Sequence, residues 1–305
     1  MKVLIFGANG FLGRKTYSFF SEQNNENNES NETNEINETR VLGTSHSNNQ
    51  TPFVKVDIRL KQEVSELFQT FKPDLVINCA AICDVKKCEE DYALAYEVHV
   101  KGTKNIAEGC REHNAIMVCL SSDYIFDGTS GPYDEASEPN PLNNYGKTKV
   151  LGEEIVKKIA LKYIILRPTI MYGFNGEDDK PNFSIEVINK IKKGEEIFAD
   201  NERRKYPILI DDIAECINHL VSVNARGTFN IGTEKGYTRF EWAQLIAKIK
   251  NSGTNRLFPE ANKCYNTNRP NDARLLIDKL KFTGFKPHTL EEGFEIMSKQ
   301  MRDTK

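Results

Sequence analysis

At 305 residues, with 39% hydrophobic and 28% charged residues, the chain can bury a substantial core, as one large α/β domain or as a nucleotide domain with a smaller lobe. A net charge of −3 with scattered Lys and Arg gives no support for nucleic-acid binding. No apolar run approaches the ~20 residues of a membrane span and the amino end enters a strand directly, so a cytoplasmic protein with a small-molecule partner and no membrane contact is expected.

The apolar run 2–6 ends in Gly7-Ala8-Asn9-Gly10-Phe11-Leu12-Gly13, and a helical pattern covers 11–20. Strand, glycine turn and helix describe a phosphate site: Gly7 permits the tight turn, Gly10 lets backbone approach a pyrophosphate, and Gly13 lets the helix pack closely. A purely structural turn would use the same glycines, but strand, spacing and helix coincide here. Residues 21–39 are nearly all Asn and Glu with a few Ser and Thr, too polar to bury a face, and are expected to form a solvated, disordered insertion. The second strand, 41–44, runs into Ser45-His46-Ser47. A carboxylate there would bind the ribose 2′-hydroxyl of NAD, whereas Ser45 and His46 repel no 2′-phosphate, so NADP(H) is expected over NAD(H). The same three residues also read as an ordinary polar loop.

Further strands are expected at 53–57, 75–78, 116–120 and 163–166, with helices at 61–71 and 143–160 between them. Alternating strands and helices of this length make parallel βαβ units with right-handed crossovers. Ser122 follows the apolar run 116–120 and would sit at a strand's carboxyl end, where open α/β sheets bind ligands. Tyr145 and Lys149 stand four apart on one helix face. An ammonium one turn from a phenol of reference pKa ~10 stabilises the phenolate, which suits Tyr145 to general acid work. Alone, that spacing favours an ordinary amphipathic helix with a snorkelling Lys; the nucleotide turn upstream reverses that preference and gives it chemical meaning. Pro168 ends the strand at 163–166 because it lacks an amide hydrogen. Beyond it, Asn182-Phe183 precedes a helix to 193, residues 206–215 give a strand entering a capped helix, and 227–232 a last strand. Seven cysteines, Cys79, Cys83, Cys88, Cys110, Cys119, Cys216 and Cys264, fit no zinc spacing, so reduced thiols and no metal are expected.

Ser122 with Tyr145-Gly146-Lys147-Thr148-Lys149 matches the active-site signature of short-chain dehydrogenase/reductases, and the glycine spacing G-x-x-G-x-x-G resembles their extended branch. Asn78-Cys79-Ala80-Ala81 resembles the family's Asn-Ala-Ala, while 237–242, 268–270 and 280–287 are similar to the terminal lobe of dTDP-4-dehydrorhamnose reductases. The resemblance covers nearly the whole chain apart from 21–39. It implies an α/β fold, a Rossmann-type doubly wound parallel sheet with a smaller, mostly helical C-terminal substrate lobe. The NAD(P)-binding domain would take 1–170 plus 206–232 and the lobe 171–205 plus 233–305. The implied cofactor contacts are Gly7, Asn9, Gly10, Phe11, Leu12, Gly13, Ser45, His46, Asp57, Ile58, Cys79, Ala80, Ala81, Tyr145, Lys149 and Pro168. The implied substrate contacts are Ser122, Asp123, Tyr124, Tyr145, Asn182 and Phe183. The catalytic set is Ser122, Tyr145 and Lys149, and a homodimer is the family's usual state.

By resemblance the reaction is NAD(P)H-dependent reduction of the 4-keto group of a nucleotide-linked 6-deoxy-hexose, as in dTDP-rhamnose biosynthesis. Three other readings stay open: a nucleotide-sugar epimerase or dehydratase on the same scaffold, a binding-only protein similar to the regulatory subunit of methionine adenosyltransferase, and a reductase of another carbonyl. In one dehydratase pattern acidic residues follow the Ser or Thr; Asp123 fits but Tyr124 follows it. Two positions depart from the family. Ile170 stands where the rhamnose reductases tend to carry Trp, and His99 where Asn is usual. His99 reads either as a substitute hydrogen-bonding group or, the expectation taken here, as a plain helix residue.

Overall fold

Short apolar runs separated by amphipathic helices build one central sheet in a computed structural model that describes residues 1–29, 39–47, 52–176, 181–261 and 268–303. The amino-terminal elements are β1 (Lys2–Phe6), α1 (Phe11–Glu29), β2 (Arg40–Ser45), β3 (Val54–Lys55), α2 (Lys61–Phe71), β4 (Leu75–Asn78), α3 (Val85–Glu90), α4 (Tyr92–Tyr96), α5 (Thr103–Glu112) and β5 (Ile116–Leu120). There follow α6 (Asn144–Ile159), β6 (Lys162–Pro168), β7 (Met171–Tyr172), α7 (Phe183–Lys193), β8 (Ile197–Asp200), β9 (Ile208–Leu209), α8 (Ile210–Ser222) and β10 (Gly227–Ile231). The last are α9 (Arg239–Ile249), β11 (Leu257–Glu260), α10 (Asp278–Phe282) and α11 (Leu290–Asp303).

The seven-stranded sheet has the order β3-β2-β1-β4-β5-β6-β10, and the strand pairs from β3 through β6 are all parallel. The expected doubly wound sheet is therefore present. Strand order reverses between β1 and β4, the switch point outside which such sheets bind ligands. Two small parallel pairs, β7 with β9 and β8 with β11, complete the strands named here. The chain divides into two compact units, one of Met1–Ser122, Asn143–Arg167 and Ala214–Phe229, the other of Asp123–Leu142, Pro168–Ile213 and Asn230–Lys305. Residues 123–142 thus go with the second unit and most of α8 with the first.

Each unit has its own core. In the first, Phe6 stacks on Phe68 with ring centroids 6.3 Å apart, both fully buried. Burying one such ring stabilises by ~1.5–3 kcal/mol. Gly109 lets α5 sit on that ring, since a Cβ there would lie 2.7 Å from Phe68. In the second, Trp242 is fully buried with Tyr172 and Phe183 edge-on to it at 5.8 and 5.0 Å. The helix α9 that carries Trp242 begins with a capping box between Thr238 and Glu241.

Several boundaries differ from the sequence expectations. α1 does not stop at Phe20 but runs to Glu29, so 21–29 are helical rather than loop; 30–38 lie outside the described residues. Glu and Gln are good helix formers, no Gly or Pro intervenes, and propagating a helix already packed over its first turns is cheap. The strand expected at 53–57 shrinks to Val54–Lys55. Cys79, Cys83, Cys88, Cys110, Cys119 and Cys216 carry free thiols, and Cys264 lies outside the described residues. No described helix is long and apolar enough to cross a membrane.

Candidate active site and cofactor cleft

The turn between β1 and α1 is shaped by contacts that only glycine permits. Gly7 has φ of +72°, and a Cβ there would lie 2.7 Å from the Ala80 backbone. At Gly13 a Cβ would meet the Gly7 carbonyl oxygen at 2.1 Å, whereas at Gly10 the nearest neighbour is that same oxygen at 3.3 Å. Gly7 and Gly13 therefore hold the turn together, while Gly10 leaves bare backbone at the mouth of the helix. A cavity of about 280 Å³ opens there, lined by Gly7, Asn9, Gly10, Thr44, His46, Ile58, Arg59, Cys79, Ala80, Ala81 and Ile82, together with Val56, Lys87, Leu94 and Val98. Bare turn backbone, a helix amino end and small residues on the opposite wall fit the pyrophosphate and body of a dinucleotide.

Among the expected cofactor residues, Phe11, Leu12 and Gly13 open α1 and do not line this cavity. Ser45 is buried within β2, its hydroxyl donating to the Ser47 carbonyl at 2.9 Å; Thr44 and His46 take the lining places instead. Asp57 stands behind the wall, where Arg59 donates to its carboxylate from Nε at 2.9 Å and Nη2 at 2.5 Å. That hydrogen bond holds the Asp57 carboxyl below the usual range. Arg59, which the sequence reading missed, lines the cleft with its Nη2 3.4 Å from His46 Nε2.

The candidate catalytic residues lie at the ends of β5 and α6. Asn143 caps α6, its side chain accepting from the Gly146 amide at 2.8 Å, which fixes the first turn that carries Tyr145. Lys149 is 9% exposed, donates from Nζ to the Leu120 carbonyl at 2.9 Å, and holds its ammonium 5.8 Å from the Tyr145 ring centroid. Ser122 is buried two residues beyond Leu120. The charge of Lys149 bears also on Cys79 in the cleft wall, whose thiol burial pushes up to about 12. Behind the site, Glu153 and Arg167 form a buried bidentate pair, with Nε to Oε1 at 2.8 Å and Nη2 to Oε2 at 2.7 Å.

His99 is no plain helix residue. It is 2% exposed within a π-helical turn, Glu97–Gly102, and both ring nitrogens have partners. The Ile82 amide donates to Nε2 at 2.9 Å, Nδ1 lies 2.8 Å from Thr148 Oγ1, and the ring stands edge-on to Tyr145 at 5.7 Å.

The remaining expected contacts fall in the second unit. Pro168 closes β6. Asp123, Tyr124 and Ile125 form a turn of 3-10 helix in which Asp123 and Ile125 are buried, and Lys205 Nζ lies 5.7 Å over the Tyr124 ring. Asn182 is occupied as the cap of α7, accepting from Ser184 and Ile185 amides and donating to the Gly173 carbonyl at 2.8 Å. Phe183 lies under Arg239, Cζ to centroid 4.9 Å. The charges of Arg203, Arg239 and Arg269 all bear on Tyr124 and Lys205. Burial foremost, with the arginine charges adding to it, draws Lys205 down to about 8 against the pull of Asp123. This basic cluster was invisible along the chain because its members come from separate segments.

A family model described as the RmlD substrate binding domain matches residues 1–302. Among curated relatives, the probable low-salt glycan biosynthesis reductase Agl14 of Haloferax volcanii is 29% identical over 254 residues, 82% of this chain and 80% of its own length. The methionine adenosyltransferase 2 subunit beta of Xenopus laevis is 30% identical over 295 residues, 94% of this chain and 84% of its own. The crystal structure of dTDP-4-dehydrorhamnose reductase from Bacillus anthracis in complex with NADP aligns with a TM-score of 0.84 at 28% identity, covering 98% of both chains.

Proposed function

We propose, from the premise that the chain belongs to the RmlD substrate binding domain family, that it is an NAD(P)H-dependent reductase of the 4-keto group of a nucleotide-diphospho-6-deoxy-4-keto-hexose. The observation that carries this reading is the setting of Lys149, whose ammonium is pinned to the Leu120 carbonyl at 2.9 Å, one helical turn from Tyr145. The reductases named among its relatives and structural neighbours support it.

A bound nicotinamide supplies the hydride. The chain's residues supply the rest. Tyr145 donates a proton to the carbonyl oxygen as charge develops there, and Ser122 donates a hydrogen bond to the same oxygen. Lys149 places a positive charge where it stabilises the phenolate left behind, and its remaining hydrogens suit it to hold the ribose. Gly7, Asn9 and Gly10 hold the pyrophosphate, with Cys79, Ala80 and Ala81 as the opposite wall. NADP(H) is favoured over NAD(H) because β2 ends without a carboxylate and His46 and Arg59 line that end of the cleft. In the second unit Arg203, Lys205, Arg239 and Arg269 take the substrate's diphosphate, and the Tyr124 and Phe183 rings its base or sugar.

The test follows NADPH and NADH absorbance with a panel of dTDP-, UDP- and GDP-linked 4-keto-6-deoxy sugars. Stoichiometric oxidation with at least one of them is expected; cofactor binding without turnover of any would overturn the reading. That outcome would favour a binding-only subunit of a larger enzyme. The named role of the Xenopus laevis relative, which aligns over 94% of this chain, is the observation behind this second reading.

A further inference from the structure

The proton inventory around His99 admits one arrangement. A backbone amide can only donate, so the Ile82 N–H at 2.9 Å requires a lone pair on Nε2. The ring is buried, and burial, then the charge of Lys149, draws it down to about 3, so it is neutral and carries its hydrogen on Nδ1. Nδ1–H then donates to Thr148 Oγ1 at 2.8 Å. The Thr148 hydroxyl passes its own hydrogen to a carbonyl of α6, Tyr145 O at 2.9 Å or Asn144 O at 3.0 Å. Every donor in this row points the same way, from the cleft wall at Ile82 to the turn that bears Tyr145. The packing follows the same line. Gly152 brings α6 against the π-helical turn, since a Cβ there would lie 3.0 Å from the His99 carbonyl oxygen. Gly102 brings that turn against Ile58 of the cleft, where a Cβ would meet Cδ1 at 2.5 Å.

We propose that His99 is a positioning residue, a neutral one-way link that sets the cleft wall at Ile82 and the Tyr145 turn of α6 against each other. Its catalytic consequence rests on the reductase reading above, while the link itself does not. The two ring nitrogens do separate work. Nε2 fixes the wall that a cofactor lies along, and Nδ1 fixes the helix that presents the phenol.

Two isosteres separate them. Asn places an amide nitrogen near the Nδ1 position, so His99→Asn keeps the Thr148 bond and leaves the Ile82 amide unpaired. Gln reaches the Nε2 position with an oxygen, so His99→Gln keeps the Ile82 bond and releases Thr148. An unpaired buried donor weakens what depends on it by about tenfold or more. His99→Asn is therefore expected to raise the NADPH dissociation constant, measured by fluorescence titration, about tenfold. His99→Gln is expected to leave that constant within about threefold of wild type and to lower kcat about tenfold, and Thr148→Val to behave like His99→Gln. A general loss of packing would move both quantities together in all three variants, and that result overturns the link. If the wild type turns over no keto sugar, the reductase reading fails, yet the dissociation constants still decide for or against the link. Should a variant not fold, long-range proton–nitrogen correlation on wild-type protein with labelled histidine decides it. An Nδ1–H tautomer unchanged from pH 8 to 5 is expected; an Nε2–H tautomer or a shift with pH in that range refutes the proposal.

Discussion

The Lys149 ammonium donates to the Leu120 carbonyl at 2.9 Å, which ties the helix bearing Tyr145 to the end of the strand that leads into Ser122. One side chain thus serves both charge and position, and substitutions around it should separate the two. Tyr145→Phe is expected to remove turnover with NADPH affinity close to wild type, because the phenol acts on the reacting oxygen alone. Ser122→Ala should cost turnover by roughly a hundredfold to a thousandfold, like the loss of one oxyanion donor. Lys149→Ala should lower turnover and cofactor affinity together. Steady-state kinetics with a parallel fluorescence titration of NADPH measures all three, and wild-type turnover in Tyr145→Phe would exclude the phenol as acid.

The Glu153–Arg167 pair yields a stability prediction with a definite pH dependence. Burial pushes the Glu153 carboxyl up, but the hydrogen bond and charge of Arg167 outweigh it and hold the group below its usual range. A carboxylate depressed in the folded state contributes stability above its unfolded pKa of about 4.3 and loses it as pH falls further. Glu153→Gln leaves Arg167 buried without a counter-charge and should cost ~3–5 kcal/mol at pH 7. Urea unfolding at pH 7 and again below pH 4 checks the sign: the gap between wild type and variant should narrow in acid. A constant gap would mean that the pair is not ionised in the folded protein.

The glycines of the first turn divide by function. Gly13→Ala drives a methyl to 2.1 Å from the Gly7 oxygen and should lower the melting temperature, as overpacking costs ~1–3 kcal/mol or more. Gly10→Ala meets that oxygen only at 3.3 Å and should fold normally, yet lose NADPH affinity by over about tenfold because its methyl occupies the phosphate's approach. Equal melting and equal affinity in both variants would remove the turn from the cofactor site.

What the sequence made legible follows from local periodicity. β1, α2, β4 and β5 fall where the apolar runs put them, because a run between turn residues leaves a buried strand few alternatives, and the Tyr145 helix starts at its Asn143 cap. β2 ends one residue later than expected because strand ends depend on pairing across the sheet: the Val56 amide donates to the Ser45 carbonyl at 2.9 Å and draws Ser45 into the strand. His99 resisted reading since a π-helical turn leaves no periodic mark over six residues. The basic cluster is a tertiary product of segments dozens of positions apart, which net charge averages away.

That cluster supports the last prediction. Lys205 is drawn down to about 8, first by burial and then by Arg203, Arg239 and Arg269, while Asp123 opposes the shift. A lysine lowered in this way is charged below about pH 8 and neutral above it. If the cluster holds a diphosphate, affinity for a nucleoside diphosphate should be flat from pH 6.5 to 7.5 and fall as pH rises through about 8, since one charge-assisted hydrogen bond is lost. The fall should reach about tenfold by pH 9.5. Lys205→Arg keeps its charge and should abolish the inflection, and Lys205→Met should bind weakly at every pH. Isothermal titration with dTDP, UDP and GDP needs no turnover and so tests the cluster apart from the chemistry. NADPH affinity in the same buffers is the control, because Lys205 has no part in the cleft. A diphosphate affinity that ignores both Lys205 variants would move the substrate's phosphates to some other surface.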